Sequence, residues 1–368
     1  MHSRTFLRTR QQAPQQDEDM MGRFRNTALA FAASAIAAGP AVAQSVTITL
    51  AHEEPADAAT SAAHMSAMVF KDIIETRSNG DMVVDIQAAS AMGNQRERME
   101  LTQADIIQVN IAAIGGLAQF YPEINAIDLP FAFPGEIVAD HVFDGPFGDM
   151  LAENIHAATD LRLLAVTAGD FYVFTNSTRE VRSPADMEGL RVRTMSVPSH
   201  IAMMNALGAA ATPVPWDELY SALETGVVDA QHNPIPIVAV GNLQEVQRYA
   251  TVTNHLYGAD WWMTSDLFLD SLTPEQTRIF TNAVEAARTA GRGAKMGLRA
   301  TRFGTAFLED SGLEVYAPSP DELAQFRDLA APAVMEVLAD EIGAGAVTLA
   351  EAMLEAVAAA EAEIYGAE

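Results

Sequence analysis

From Val46 to Ile111 the chain reads strand, helix, strand, helix, strand, and that order constrains it more than any other feature. Val46-Thr47-Ile48-Thr49-Leu50 alternates with period two, and Met65, Met68, Val69 and Ile73 recur at helical spacing up to a stop at Ser78-Asn79-Gly80. Met82-Val83-Val84-Asp85-Ile86 is a second strand, Glu97 to Thr102 a helical stretch, and Ile106-Ile107-Gln108-Val109-Asn110-Ile111 a third strand. Strands separated by helices run parallel through right-handed crossovers, and such sheets present their binding crevice beyond the C-terminal strand ends. His52, Glu53 and Asn110 stand near those ends.

A second set of strands starts at Leu163-Leu164-Ala165-Val166-Thr167 and Phe171-Tyr172-Val173-Phe174-Thr175. It continues with Leu190 to Met195, a helix from Asp217 to Thr225 closed by Gly226, and Val227-Val228-Asp229. A length of 368 residues predicts about two domains. The fold class is therefore α/β, with two lobes joined by strand-like crossings and a cleft between them. The C-terminal third is helical, with an almost unbroken pattern from Thr273 to Glu309 and a last amphipathic helix marked by Leu349, Met353, Val357 and Ile364. Arg288, Arg292, Lys295, Arg299 and Arg302 share one face of the long helix, and the spacing predicts a solvated stripe balanced by nearby acids, the alternative being a partner-docking surface.

The N-terminus carries an address. Met20-Met21-Gly22-Arg23-Phe24-Arg25 is a basic segment, Thr27 to Ala38 is apolar, and Ala41-Val42-Ala43 has the small-x-small form of a secretory cleavage site. The apolar run is shorter than the roughly 20 residues of a membrane span. Residues 1–43 thus read as an upstream segment plus a signal peptide cleaved near Ala43, with translation starting at Met1, Met20 or Met21, and the remainder as a protein free of the membrane. Lobe I is expected over 44–168 and 259–300, and lobe II over 169–258 and 301–368.

Composition narrows the function. The net charge of −27 repels polyanions and argues against nucleic acid as a partner. The absence of cysteine removes disulfides, thiolate metal sites and a cysteine nucleophile. The sequence contains no G-x-S-x-G elbow, no phosphate-binding loop and no H-E-x-x-H, and its histidines show no paired metal spacing, so neither catalysis nor a metal or cofactor is expected. A secreted hydrolase or lyase using His52 and Glu53 is the rival reading. The residues that stand out are Arg191 and Arg193, which alternate with Leu190 and Val192 and so face one side of a strand. A guanidinium fork matches a carboxylate bidentately, and a partly buried one needs an anion to offset its desolvation. A surface strand paired with Asp or Glu fits the same spacing.

Asp186-Met187-Glu188-Gly189-Leu190-Arg191-Val192-Arg193 resembles the D-x-x-G-[LM]-K-[IL]-R motif of TRAP transporter solute-binding proteins of the DctP type. Pro213 to Pro234, with Trp216, Tyr220, Leu223, Gly226-Val227-Val228-Asp229 and Asn233-Pro234, resembles that family's P-x-x-E-x-Y-x-A-L-x-x-G-V-V-D-G-x-E-N-P. Met92-Gly93-Asn94, Leu129-Pro130-Phe131 and Thr253-Asn254-His255 are further family-like pieces in the same order. The resemblance implies a two-lobed, periplasmic-binding-protein-like receptor in the periplasm that binds an organic acid and delivers it to small and large integral membrane subunits. It also implies that Arg193 clamps the ligand carboxylate and Asn233 hydrogen-bonds the ligand, with Arg191 either a second contact or a flank. Ala230 and His232 depart from the family's Gly and Glu. The second arginine of the family's sialic-acid receptors falls near Phe171 here, which points to one carboxylate on a hydroxylated or partly apolar body, such as a sugar acid, a hydroxy or keto acid, or an aromatic acid. Phe171 and Trp216 suit ligand stacking or core packing equally, and His52 and Glu53 complete the expected site.

Overall fold

The computed structural model describes residues 46–366. The expected signal peptide lies outside them. Ten strands form the sheet: β1 (Val46–Ala51), β2 (Met82–Gln87), β3 (Val109–Ala112), β4 (Leu161–Asn176), β5 (Arg191–Thr194), β6 (Ala210–Pro213), β7 (Ala230–Pro234), β8 (Tyr249–Thr251), β9 (Tyr257–Ser265) and β10 (Glu314–Tyr316). The order along the main path is β2-β1-β3-β9-β4-β7-β5-β6, with β8 beside β4 and β10 beside β8.

The opening β-α-β-α-β order produces the expected parallel pairing of β1 with β2 and β3. Period-two alternation puts Ile48 and Leu50 into the core with Phe70, Trp262 and Phe280. The helix Ala62–Arg77 starts where the Ser61 hydroxyl accepts from the His64 N–H at 2.9 Å, and it stops at Asn79 and Gly80, both with positive φ. Asn94 and Glu97 form a reciprocal capping box at the start of the helix Gln95–Gln103, which fixes its N-terminus beside Glu53.

The segments 163–167 and 171–175, expected as two strands, are one strand of 16 residues. Two register shifts, Leu163/Ala165 and Thr167/Asp170, interrupt its antiparallel pairing with β9, and a bulge of this kind reads in sequence as a break. Beyond the bulge β4 leaves β9 at Phe171↔Tyr257 and pairs with β7 from Tyr172↔Pro234 onward. Two glycines make that handover possible: a Cβ on Gly169 would overlap the Tyr257 hydroxyl, and one on Gly258 would overlap the Tyr172 ring. Val227-Val228-Asp229 lies before β7 rather than in it; Val228 is buried all the same.

The long helix runs Pro274–Thr301, capped by Thr273 and Gln276, and a separate short helix follows at Thr305–Asp310. Its cationic face is balanced by nearby acids as expected, but it corrects the expectation of a solvated stripe, because Arg288, Arg292, Lys295 and Arg299 are turned inward and only Arg302 is exposed. Arg292 donates to Asp144 at 2.5 and 2.9 Å and to the Val166 carbonyl at 2.9 Å, Arg288 pairs with Asp144, and Arg299 pairs with Glu136 and Asp170. Small residues explain the approach: a Cβ on Gly291 would overlap the Ser66 hydroxyl. Among the described residues no helix is long and apolar enough to cross a membrane.

Candidate binding cleft

Three adjoining cavities of about 60, 210 and 260 Å³ share Glu53 and Trp216 in their walls. The innermost is lined by Glu53, Glu54, Gln95, Tyr172, Arg193, Met195, Trp216, Asn233, Asp260 and Lys295, among others. Strands β5 and β7 supply Arg193 and Asn233. The end of β1, the strand β9 and the long helix supply Glu53, Glu54, Asp260 and Lys295.

Arg193 is 3% exposed, and its only hydrogen bond to a described residue runs from Nε to the Val214 carbonyl, at 2.8 Å. No carboxylate among the described residues pairs with it. Burial pulls its pKa down to about 10, opposed by the nearby Tyr172 and Glu53. A guanidinium with most of its donors unspent at a cavity wall has the charge and fork geometry that match a carboxylate. Asn233 is held by a relay in which its Nδ2 donates to Gln231 Oε1 at 2.7 Å and Gln231 donates to Thr175 Oγ1 at 2.7 Å, leaving Asn233 Oδ1 without a donor among the described residues. Glu53 accepts from Gln95 Nε2 at 2.7 Å and from Arg98 Nη2 at 3.4 Å. Trp216 stands over Gly241, where a side chain would strike its ring.

Three residues picked from the sequence are placed elsewhere. Arg191 has a side chain 48% exposed and forks onto Asp229 at 2.8 and 2.5 Å, because the strand carries only its far end into the cleft. Phe171 packs edge-to-face on Tyr257 with ring centroids 5.5 Å apart, a core contact at the β4–β9 handover rather than a cavity wall. His52 is buried behind the cleft against His64, Nε2 to Nδ1 3.0 Å, and burial lowers its pKa to about 3. It does not reach Glu53, so the pair imagined for a hydrolase is not assembled.

Gln95, Glu54, Asp260 and Lys295 were missed. Lys295 had a usable signal, being one of two lysines after residue 43 and lying one turn after Gly291, whose missing Cβ lets the long helix press close to Ser66. Behind Tyr172 the fold also gathers three buried histidines from distant segments. Their ring centroids lie 6.1, 5.3 and 6.1 Å from that of Tyr172 for His200, His232 and His255. His232 Nδ1 meets His255 Nε2 at 3.1 Å, His255 Nδ1 meets Thr253 Oγ1 at 2.6 Å, and His200 is tied to Asp128 at 2.8 Å. Desolvation pushes His232 well below its ordinary pKa and His255 to about 3. Among the described residues no group of three or more metal-ligating side chains could hold an ion.

The sequence model of bacterial extracellular solute-binding protein family 7 matches residues 52–341, more than half of the chain. The 2,3-diketo-L-gulonate-binding periplasmic protein YiaO of Escherichia coli is 31% identical over 228 residues, covering 62% of this chain and 69% of that one. Two crystal structures share the fold: the sugar acid binding protein DctPAm from Advenella mimigardefordensis with galactonate, and a TRAP periplasmic solute-binding protein from Polaromonas bound to D-erythronate. The first has a TM-score of 0.80 and 27% identity, covering 86% of this chain and 99% of that one. The second has a TM-score of 0.76 and 28% identity, covering 84% and 98%.

Proposed function

The chain belongs to bacterial extracellular solute-binding protein family 7, the DctP-type receptors of TRAP transporters, and as an organic-acid receptor of that family we propose that it captures its ligand by a single carboxylate on Arg193. The observation that carries this reading is a buried guanidinium with no carboxylate partner among the described residues, facing the cleft beside Asn233. Asn233 orients the ligand, Trp216 covers it, and Glu53 completes the wall. Capture proceeds by closure of two lobes, 44–168 with 259–300 and 169–258 with 301–368. Support for these bounds comes from Gly169 and Gly258, the close-approach glycines where β4 passes from β9 to β7. The receptor works in the periplasm after cleavage near Ala43 and hands its ligand to small and large integral membrane subunits. The family's solved relatives bind galactonate and erythronate, and aldonates of that size are the first ligands to test.

A thermal-shift screen of organic acids against wild type and Arg193→Ala tests the reading. A ligand at a hundred times its dissociation constant raises stability by about 2.7 kcal/mol. The shift is expected in the wild type and absent in the variant; an equal shift in both removes Arg193 from the site.

A further inference from the structure

The wall opposite Arg193 is built for something other than a carboxylate. Glu54 is 5% exposed, lines the cavity, and its Oε2 has no hydrogen-bond partner among the described residues; Asp260 lines the same cavity with Oδ2 likewise unpartnered among them. Lys295 is 4% exposed, lines the cavity, and makes no ion pair or hydrogen bond with any described residue. Buried acceptors and a buried ammonium left unpaired each carry a desolvation penalty that only an incoming partner removes. A hydroxyl is the group that serves both, since it donates to a carboxylate and accepts from an ammonium.

We propose that Glu54, Asp260 and Lys295 form a second subsite that reads the hydroxylated body of a monocarboxylate and rejects a second carboxylate. The inference rests on the receptor reading above and narrows it. Charge accounting supports it. The cations lining the innermost cavity are Arg193 and Lys295, with Arg98 beside it already spent on Glu53 at 3.4 Å. The carboxylates are Glu53, Glu54 and Asp260. Burial, reinforced by Glu54 and only partly opposed by Lys295, pushes Asp260 well above the usual carboxylate range. The neighbouring Glu54 and Asp260 therefore resist carrying two negative charges together, and a single ligand carboxylate on Arg193 is the anion the cavity accommodates. A dianion would leave an uncompensated negative charge facing Glu54.

The test is calorimetry, with ligand-observed NMR for weak binders, on the wild-type protein and on the near-isosteric variants Glu54→Gln, Asp260→Asn and Lys295→Met. The probes are galactonate, with hydroxyls along its chain; hexanoate, without them; and adipate, with a second carboxylate. Galactonate is expected to bind at least about 100-fold more tightly than hexanoate or adipate, because a site built to hydrogen-bond hydroxyls rejects analogues lacking them. Each variant is expected to lose about tenfold or more for galactonate while hexanoate stays within about threefold. Adipate binding as tightly as galactonate, or variants that weaken hexanoate as much as galactonate, overturns the subsite while leaving the Arg193 clamp standing. Binding of none of the three acids overturns both.

Discussion

The two walls of the cleft are made on opposite electrostatic terms. The wall from β5 and β7 presents one guanidinium with unspent donors and an amide oriented by a side-chain relay. The wall from β1, β9 and the long helix presents three carboxylates and a lone ammonium. The proposed place for a ligand's carboxylate is Arg193, and the rest of the molecule then meets carboxyl groups that take donors and an ammonium that takes an acceptor. The difference underlies the proposed division of capture and discrimination between the walls.

Removing the capture side should have the largest effect. Arg193→Ala is expected to cost about 2–5 kcal/mol of binding, since it deletes one partner of a desolvated charge pair; titration calorimetry reads it, and a loss below about 1 kcal/mol would make the two walls equivalent. Acid acts on both walls together. His52 behind one wall and His255 behind the other are held neutral, with pKa lowered to about 3 by burial. Because their folded pKa lies below the unfolded value near 6.5, the unfolded chain binds more protons between those limits. Stability is then fully present above about pH 6.5 and is lost as pH falls toward 3, by about 1.4 kcal/mol per unit for each histidine. Thermal midpoints from pH 7 to 4 in wild type and His255→Gln check this; Asp170, raised to about 6 by burial, acts with the opposite sign in both proteins, so a difference between them that stays constant with pH would show that His255 is not desolvated.

A smaller effect lies at the seam between the walls. Gly258→Ala should destabilise by about 1–3 kcal/mol, because the new methyl meets the buried Tyr172 ring. A denaturant midpoint as high as wild type would mean that the ring swings freely and that the walls are not braced there. Arg191→Ala should do least, under about 1 kcal/mol in stability with ligand affinity unchanged, as expected for an exposed ion pair with Asp229. Any drop in affinity would move Arg191 back into the site.

The contrast between Arg191 and Arg193 shows where sequence reasoning stopped. Both occupy the same face of the same strand, and period two can say no more. Burial separates them, because β5 carries only its far end into the cleft. Trp216, Asn233 and Glu53 were legible because strand ends and family motifs mark them. Of the two readings open for Phe171 the structure takes core packing, which sequence could not decide because the bulge at Ala168-Gly169 is silent in an apolar pattern. The cationic stripe on the long helix was read as solvated because helical spacing assigns a face without saying what lies opposite, and Asp144, Asp140, Glu136 and Asp170 come from distant segments.

The sequence by itself determined the parallel opening of the sheet, the helix stop at Asn79 and Gly80, the start of the long helix at Thr273, the family, and the strand-borne Arg193 and Asn233 that line the inner cavity. These depend on local periodicity, caps and contiguous motifs, which neighbouring residues settle among themselves. Only the tertiary structure decided that β4 is one strand passing from β9 to β7, that the helix cations turn inward, and that Glu54, Asp260 and Lys295 meet in one cavity. Those outcomes depend on desolvation and on charges brought together from segments as far apart along the chain as Glu54 and Lys295, and the balance between a buried charge and its partner exists only once both have arrived.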